Sequence, residues 1–224
     1  DHFAKHDATQ MAIFLGDAEL ALNGVAMRYY TDPGFKLGAF THPDPSVRKA
    51  ALDITKQGID VCAAMGGKTV TLWMGQDGFD YAFQMDYAAA WDRTIDTISE
   101  VCVHNPDINI AIEYKPNEPR AYSLMPDIGT TLLACKEVSA PNLGVTLDFA
   151  HVLYADEMPA HSAALIGRHS RMIGLHLNDG YGKRDDGLMV GSVHAIQTVE
   201  LLVAMLRMNQ TDVIYFDTFP DMGG

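Results

Sequence analysis

Segments with the pattern of β-strands and segments with the pattern of α-helices alternate along this chain of 224 residues. Short apolar runs predict six strands, and apolar residues at helical spacing predict one helix before the first strand and one between each later pair. Such strict alternation is typical of parallel strands joined by right-handed crossovers. The predicted strands lie near Val25, Thr69, Ile108, Leu143, Met172 and Val213.

Capping residues and glycines give the boundaries of these elements. The first helix is predicted over residues 11–23 with Gly24 as its C-cap, and Asp44 with Pro45 predicts the start of the second, which runs to about residue 65. The later helices are predicted at 86–104, 126–138, 158–168 and 194–208. The strands are predicted at 25–30, 69–74, 108–115, 143–148, 172–178 and 213–217.

The alternation continues without a break in composition that would mark a second domain. The simplest fold is one α/β domain over residues 1–224, a TIM (β/α)8 barrel whose first strand, last strand and last helix lie outside this sequence. The sequence does not begin with Met, and we expect both of its ends to be cut. An open doubly wound sheet is the alternative, although no predicted strand is followed by a G-x-G-x-x-G nucleotide loop.

Charge and composition argue against several classes of function. The net charge of −13 disfavours nucleic acid as a partner, because phosphates require a basic face. No apolar run approaches the length of a membrane span. The three cysteines form no C-x-x-C pair and are too few for a disulfide framework, which favours a reducing, cytoplasmic compartment.

Polar or aromatic side chains stand at the C-terminal ends of five predicted strands. Glu113 and Lys115 alternate on one face just before Pro116, which cannot continue a hydrogen-bonded ladder. The other strand ends carry Trp73, Asp148 with His151 in the turn that follows, His176, and Asp217. In a barrel these side chains converge on the C-terminal face, where catalytic residues of such barrels lie.

Three of these carboxylates and one imidazole form a predicted metal site. Buried together without a cation, the carboxylates of Glu113, Asp148 and Asp217 would repel one another and raise each other's pKa values. A donor set of oxygen with one nitrogen, from His176, suits Mn²⁺, Mg²⁺ or Co²⁺. A second group, His151 with Asp185 and Asp186, is predicted to hold a second cation that shares a carboxylate with the first.

The motifs around these residues resemble known sugar isomerases. Residues 112–120, Ile-Glu-Tyr-Lys-Pro-Asn-Glu-Pro-Arg, resemble the metal-ligand strand of xylose isomerase, and residues 72–78 and 215–217 are similar to it as well. Asp148-x-x-His151, with His176 where xylose isomerase has Asp, is more similar to the bacterial L-rhamnose isomerases of broad substrate range. The resemblance runs from about residue 24 to residue 220.

The resemblance implies a cytoplasmic, homo-oligomeric aldose–ketose isomerase, usually a tetramer, with a monosaccharide substrate and two divalent cations per chain, Mn²⁺ first and Co²⁺, Mg²⁺ or Zn²⁺ as alternatives. It assigns the first cation to Glu113, Asp148, His176 and Asp217, and the second to Asp148, His151 and Asp185. The expected reaction is a hydride shift between C1 and C2 of the open-chain sugar. We expect Lys115, His42 and Asp217 to be catalytic, and Trp73, His42 and Lys115 to contact the sugar.

Two positions depart from the family pattern. Asp32 stands where xylose isomerase has its ring-opening His, and His42, ten residues later, is the substitute expected to act as general acid. The Asp-x-Asp expected at the second cation reads Asp185-Asp186-Gly187.

Other functions remain as alternatives. The first is a ketose 3-epimerase of the same barrel, with one metal and two glutamates that exchange a proton at C3. Asp217 on the last strand is shorter than the glutamate that such an enzyme uses, so we rank the epimerase second. The acidic charge disfavours a related barrel endonuclease. A non-catalytic sugar-binding barrel would tolerate the loss of Lys115 and of the second cation group.

Overall fold

Six parallel strands form the main sheet of the protein. The structure is a computed structural model that describes residues 7–210 and 214–219. The strands of the main sheet are β1 (Gly24–Arg28), β2 (Thr69–Trp73), β4 (Asn109–Glu113), β6 (Leu143–Asp148), β7 (Met172–Leu177) and β8 (Ile214–Phe216). They are adjacent in that order, and within the described residues the sheet is open between β1 and β8. The predicted parallel barrel fold is confirmed, while Val213, the predicted position of the sixth strand, lies outside the described residues.

Among the described residues one helix precedes β1, and the other helices lie between consecutive strands of the main sheet. They are α1 (Ala8–Asp17), α2 (Pro45–Ala64), α3 (Tyr87–His104), α4 (Ile128–Val138), α5 (Phe149–Tyr154), α6 (Pro159–His169) and α7 (Ala195–Arg207). The predicted cap of α2 is confirmed, since Asp44 accepts a hydrogen bond from the backbone N–H of Ser46 and Pro45 occupies the first turn. Each long helix buries apolar side chains, among them Ile59, Ile98, Ile166 and Leu201, all fully buried.

The start of the chain differs from the prediction. α1 ends at Asp17 rather than near residue 23, and it has no buried side chain. Gly24 therefore does not cap this helix but begins β1. A Cβ at Gly24 would lie 2.5 Å from the carbonyl oxygen of Thr69, so the glycine is needed because β2 approaches closely.

The short elements absent from the sequence prediction include two strands and one α-helix. β3 (Gly78–Phe79) and β5 (Tyr122–Ser123) form a two-stranded antiparallel sheet that joins the loops after β2 and β4. The helix α5 begins directly where β6 ends, because the Asp148 side chain accepts a hydrogen bond from the N–H of His151. Asp148 is thus both the last residue of β6 and the N-cap of α5.

The register of the parallel strands brings their C-terminal ends to one edge of the sheet. Trp73 is paired with Glu113 across β2 and β4, and Asp148 with His176 across β6 and β7. Tyr215 pairs with His176, so Asp217 follows β8 at the same edge. The strand-end residues are therefore neighbours in space although up to about 150 positions separate them in sequence.

Within the described residues no helix combines the length and apolarity needed to cross a bilayer. Cys62, Cys102 and Cys135 are all free and buried.

Candidate active site

A cavity of about 230 Å³ opens at the C-terminal ends of the strands. Seven of the residues selected from the sequence line it: Trp73, Glu113, Lys115, His151, His176, Asp185 and Asp217. An eighth, Asp148, is fully buried beside them, with its Oδ2 3.6 Å from Nδ1 of His176. The structure thus brings together residues from five strands and their loops.

Four of these side chains converge on one point. Glu113, Asp148, His176 and Asp217 each offer one ligand atom, and these atoms all lie within 4.8 Å of one another. Nδ1 of His176 lies 3.3 Å from Oε1 of Glu113, 3.6 Å from Oδ2 of Asp148 and 3.6 Å from Oδ2 of Asp217. We call these four residues the site cluster.

The site cluster fits a divalent cation. Nδ1 of His176 is buried and has no hydrogen-bond partner among the described residues, although three carboxylates surround it. Three carboxylate oxygens with one imidazole nitrogen are a ligand set typical of Mn²⁺ and similar cations. Carboxylates this close together repel one another unless positive charge lies between them.

The pKa values in the metal-free site cluster reflect this concentration of negative charge. Burial alone would lower the pKa of His176, but the carboxylates of Asp148 and Glu113 outweigh it and raise the pKa to about 10. Burial, together with repulsion from Asp148 and Glu113, raises the pKa of Asp217. A bound cation would supply the positive charge that the metal-free cluster obtains from protons.

A second group of charges lies next to the site cluster. Oδ2 of Asp185 is 3.1 Å from Nζ of Lys115 and 3.2 Å from Nε2 of His151, while Oδ1 of Asp185 and Nδ1 of His151 are buried without partners. Burial opposes the charged forms, yet His151 and Lys115 lower the pKa of Asp185 to about 2, and the carboxylates of Asp148 and Asp185 raise the pKa of His151 to about 9. The unpartnered atoms make Asp185 and His151 suitable ligands, with Asp148, for a second cation.

Asp186 does not join this group. Its carboxylate accepts hydrogen bonds from the N–H of Tyr181 and from Nε of Arg184. The second carboxylate of the Asp185-Asp186 pair therefore stabilises its own loop.

Lys115 presents a buried ammonium group to the cavity. The residue is 7% exposed, its Nζ lies 2.9 Å from Oε2 of Glu118, and the same nitrogen is 5.4 Å from the centre of the Trp73 ring. Burial works against the charged form, but the carboxylates of Asp185 and Glu118 outweigh it and raise the pKa of Lys115. Lys115 is thus a positively charged hydrogen-bond donor beside an aromatic wall.

The structure does not bring His42 to this cavity. Nδ1 of His42 accepts a hydrogen bond from the N–H of Asp44, next to the start of α2. Asp32 accepts a hydrogen bond from the N–H of Gly34 and begins a turn of 3₁₀ helix. Neither residue is among those that line the cavity.

Several residues at the site were not selected from the sequence. Asn178 donates from Nδ2 to both oxygens of Asp148, at 3.2 and 3.0 Å, and its Oδ1 accepts from the N–H of Ala150. This amide fixes the orientation of a ligand carboxylate, and its place two residues after His176 was the available indication. Arg28, Tyr30 and Phe219 also line the cavity.

Comparison with known protein families identifies the fold independently of the site. A family profile described as "Xylose isomerase-like TIM barrel" matches residues 2–222, which is nearly the whole chain.

Solved structures with a similar fold include those of two sugar epimerase-type proteins and a zinc-containing protein. A D-tagatose 3-epimerase-like protein is 20% identical with a TM-score of 0.79, over 94% of this chain and 75% of the other. A D-psicose 3-epimerase determined in the presence of D-fructose is 19% identical with a TM-score of 0.74, over 100% of this chain and 74% of the other. The IOLI protein with a bound zinc atom is 16% identical with a TM-score of 0.69, over 97% of this chain and 74% of the other. At these identities the similarity concerns the fold.

Proposed function

This chain belongs to the xylose isomerase-like TIM barrel family, and we propose that it is an enzyme, a metal-dependent aldose–ketose isomerase that acts on open-chain monosaccharides. One observation carries the proposal: a buried ammonium group, that of Lys115, shares a cavity with the site cluster. The motifs around His151 and His176 support the L-rhamnose isomerase branch as the finer assignment.

Glu113, Asp148, His176 and Asp217 would hold the first cation, and Asp148, His151 and Asp185 the second. When bound, the cation supplies Lewis-acid polarisation of two adjacent sugar oxygens. Mn²⁺ is the cation we propose first, with Co²⁺, Mg²⁺ and Zn²⁺ as alternatives, because the site cluster combines three carboxylates with one imidazole.

Lys115 binds and polarises the oxygen at C1. Its Nζ already donates to Asp185 and Glu118, so it carries its proton and can turn one N–H towards a sugar oxygen. A fixed positive charge in a buried cavity stabilises negative charge that develops on that oxygen. Trp73 forms the apolar wall that excludes water from C1 and C2, which favours transfer of hydrogen as a hydride between these two carbons.

A ketose 3-epimerase with one cation is the second candidate. Two observations favour it: solved structures of this fold include ketose 3-epimerases, and the Asp185 carboxylate is already engaged by Lys115 and His151. In that reaction Glu113 and Asp217 would exchange a proton with C3 from opposite sides of the sugar. A non-catalytic sugar-binding barrel is the third, and Lys115 argues against it because binding alone does not require a buried ammonium group.

Product analysis by NMR distinguishes these functions. The full-length protein, stripped of metal and then given Mn²⁺ or Co²⁺, is incubated with a panel of ketoses in D₂O. An aldose with little deuterium at the transferred position supports isomerisation by hydride shift. A ketose inverted at C3 and carrying deuterium there supports the epimerase, and the absence of any product with every sugar and metal contradicts both enzymes.

We further propose that residues 1–224 belong to one barrel domain of a cytoplasmic homo-oligomer. The reduced cysteines and the family resemblance support this proposal. Light scattering of the purified full-length protein gives the oligomeric state directly, and a monomer at micromolar concentration would contradict the proposed assembly.

A further inference from the structure

Two loops that carry ligand residues contact each other at Gly187 and Phe219, outside the site cluster. The loop between β7 and α7 carries Asp185, and the segment after β8 carries Asp217. Gly187 lies two residues after Asp185, and Phe219 lies two residues after Asp217. The backbone N–H of Phe219 donates to the carbonyl oxygen of Gly187 at 3.0 Å.

The ring of Phe219 occupies the space that a Cβ at position 187 would need. A Cβ at position 187 would overlap the Phe219 ring at three of its carbon atoms. Gly187 also has a φ of +57°, a conformation that residues with a Cβ rarely adopt. Position 187 therefore has both a backbone and a packing reason to be glycine.

Few other interactions hold the segment after β8. Among the described residues, the one backbone hydrogen bond that ties residues 217–219 to the rest of the chain outside the sheet is the bond from Phe219 to Gly187. The Asp217 side chain is 31% exposed, more than those of Glu113 and Asp148. Asp217 is thus the most exposed ligand of the site cluster, and its segment is joined to the Asp185 loop through Phe219.

We propose that Gly187 and Phe219 form a latch that fixes the Asp185 loop against the Asp217 segment and so sets the geometry of the site cluster. Both are positioning residues, since Gly187 acts through Phe219 and Phe219 acts through the chain that holds Asp217. Phe219 also forms a wall of the cavity. The latch rests on the proposed metal-dependent function, because its role is to keep Asp217 where a cation needs it.

Four variants of the full-length protein test the latch: Gly187→Ala, Gly182→Ala, Phe219→Ala and the double variant Gly187→Ala/Phe219→Ala. Gly182 is the matched control, because it lies in the same loop with a φ of +70° but a Cβ there would meet only the Leu153 carbonyl group, at 3.2 Å. Mn²⁺ affinity is measured by isothermal titration calorimetry on metal-stripped protein, and urea unfolding reports the backbone strain that both glycine variants share.

The latch predicts that Gly187→Ala weakens Mn²⁺ binding about tenfold, the loss expected when a ligand is displaced by a change in its support. Gly182→Ala should weaken it by less than about twofold, since surface changes without such a contact have small effects. In the double variant the overlap is gone, so its Mn²⁺ affinity should equal that of Phe219→Ala. If Gly187→Ala does not fold, a double variant that folds and binds Mn²⁺ still supports the latch. It would show that overlap with the Phe219 ring caused the failure of the single variant.

Three results would overturn the latch. These are equal Mn²⁺ affinities for Gly187→Ala and Gly182→Ala, losses that simply add in the double variant, or a double variant that fails to fold. In each of these cases wild-type protein that binds Mn²⁺ and converts a sugar leaves the proposed function standing. Wild-type protein that binds no divalent cation overturns the latch and the metal-dependent function together.

Discussion

Two groups of charged side chains lie at the C-terminal edge of the sheet, and they differ in how their imidazole nitrogens are paired. One is the site cluster. The other, which we call the loop clamp, is Asp179 with His194 and the backbone N–H groups around them. Oδ2 of Asp179 accepts from the N–H groups of Val193 and His194, and Oδ1 accepts from Gly180 N–H and faces Nδ1 of His194 at 2.8 Å.

The pKa values of Asp179 in the loop clamp and of Asp217 in the site cluster are shifted in opposite directions. Burial alone would raise the pKa of Asp179, but hydrogen bonds from the backbone of His194 and Val193 outweigh it and lower the pKa. The pKa of Asp217 in the site cluster is raised, because burial and neighbouring carboxylates act in the same direction. An imidazole paired with a single carboxylate, as in the loop clamp, indicates a charge that supports the fold, whereas the buried Nδ1 of His176, which has no hydrogen-bond partner among the described residues and faces three carboxylates, indicates a site for a ligand.

The largest expected effect is that of Glu113→Gln on turnover. The change removes one charged ligand, so we expect sugar conversion to fall by about a thousandfold or more. The change removes repulsion from Asp217 but also attraction to His176, so we expect the free energy of unfolding of the metal-free protein to change by less than about 1 kcal/mol. Turnover assays and urea unfolding measure the two quantities. Turnover within a few-fold of wild type would mean that the site cluster is not the active site.

Lys115→Met is expected to have the next largest effect. It keeps the length of the side chain but removes the charge that stabilises the sugar oxygen, which predicts a loss in kcat of about a hundredfold. The four ligands of the site cluster stay in place, so Mn²⁺ affinity should change by less than about threefold. Steady-state kinetics and calorimetry give both values. Unchanged kcat would favour the 3-epimerase, in which Lys115 has no role at C1.

Asp179→Asn tests the loop clamp by stability rather than chemistry. The amide keeps one acceptor oxygen but places an NH₂ group where backbone N–H groups point, so we expect the free energy of unfolding to fall by about 1–3 kcal/mol at pH 7. Urea unfolding of both proteins measures the difference. A loss below about 0.5 kcal/mol would place Asp179 among ordinary surface carboxylates.

The smallest expected effect is the pH dependence of the difference in the free energy of unfolding between wild type and Asp179→Asn. The folded pKa of Asp179 lies below its unfolded value of about 3.9. Its charge therefore contributes stability above that value, and the contribution is lost as pH falls through the folded pKa. The gap between wild type and Asp179→Asn should be constant from pH 5 to 7 and shrink below about pH 4. A stability difference that grows as the pH falls would mean that the pKa of Asp179 is raised, not lowered, in the folded protein.

Local sequence patterns were sufficient to predict much of the fold and to select most of the residues of the candidate site. Alternating apolar residues identify strands, and in a parallel sheet the strand ends meet at one edge, so Glu113, Asp148, His176 and Asp217 could be grouped from sequence. The early end of α1 was not predictable, because residues 18–23 continue an apolar pattern although α1 itself buries no side chain. Gly24 has the usual appearance of a helix cap, and its role depends on how closely β2 approaches.

Interactions between loops could not be predicted, because they leave no pattern in the neighbouring sequence. The role of His194 leaves no sign in the neighbouring sequence, because its partner Asp179 lies 15 positions earlier, at the other end of a loop. Phe219 gave no indication of its contact with Gly187 for the same reason. His42 was assigned by analogy of position, and only the path of the loop shows that its ring faces α2.

The most direct test of the account is to locate the bound cation. Crystals of the full-length protein soaked in Mn²⁺ are measured on both sides of the manganese absorption edge. The account predicts an anomalous peak among Glu113, Asp148, His176 and Asp217, and none at Asp179, whose oxygens are already fully paired. No peak at the site cluster in crystals of active protein would contradict the central claim.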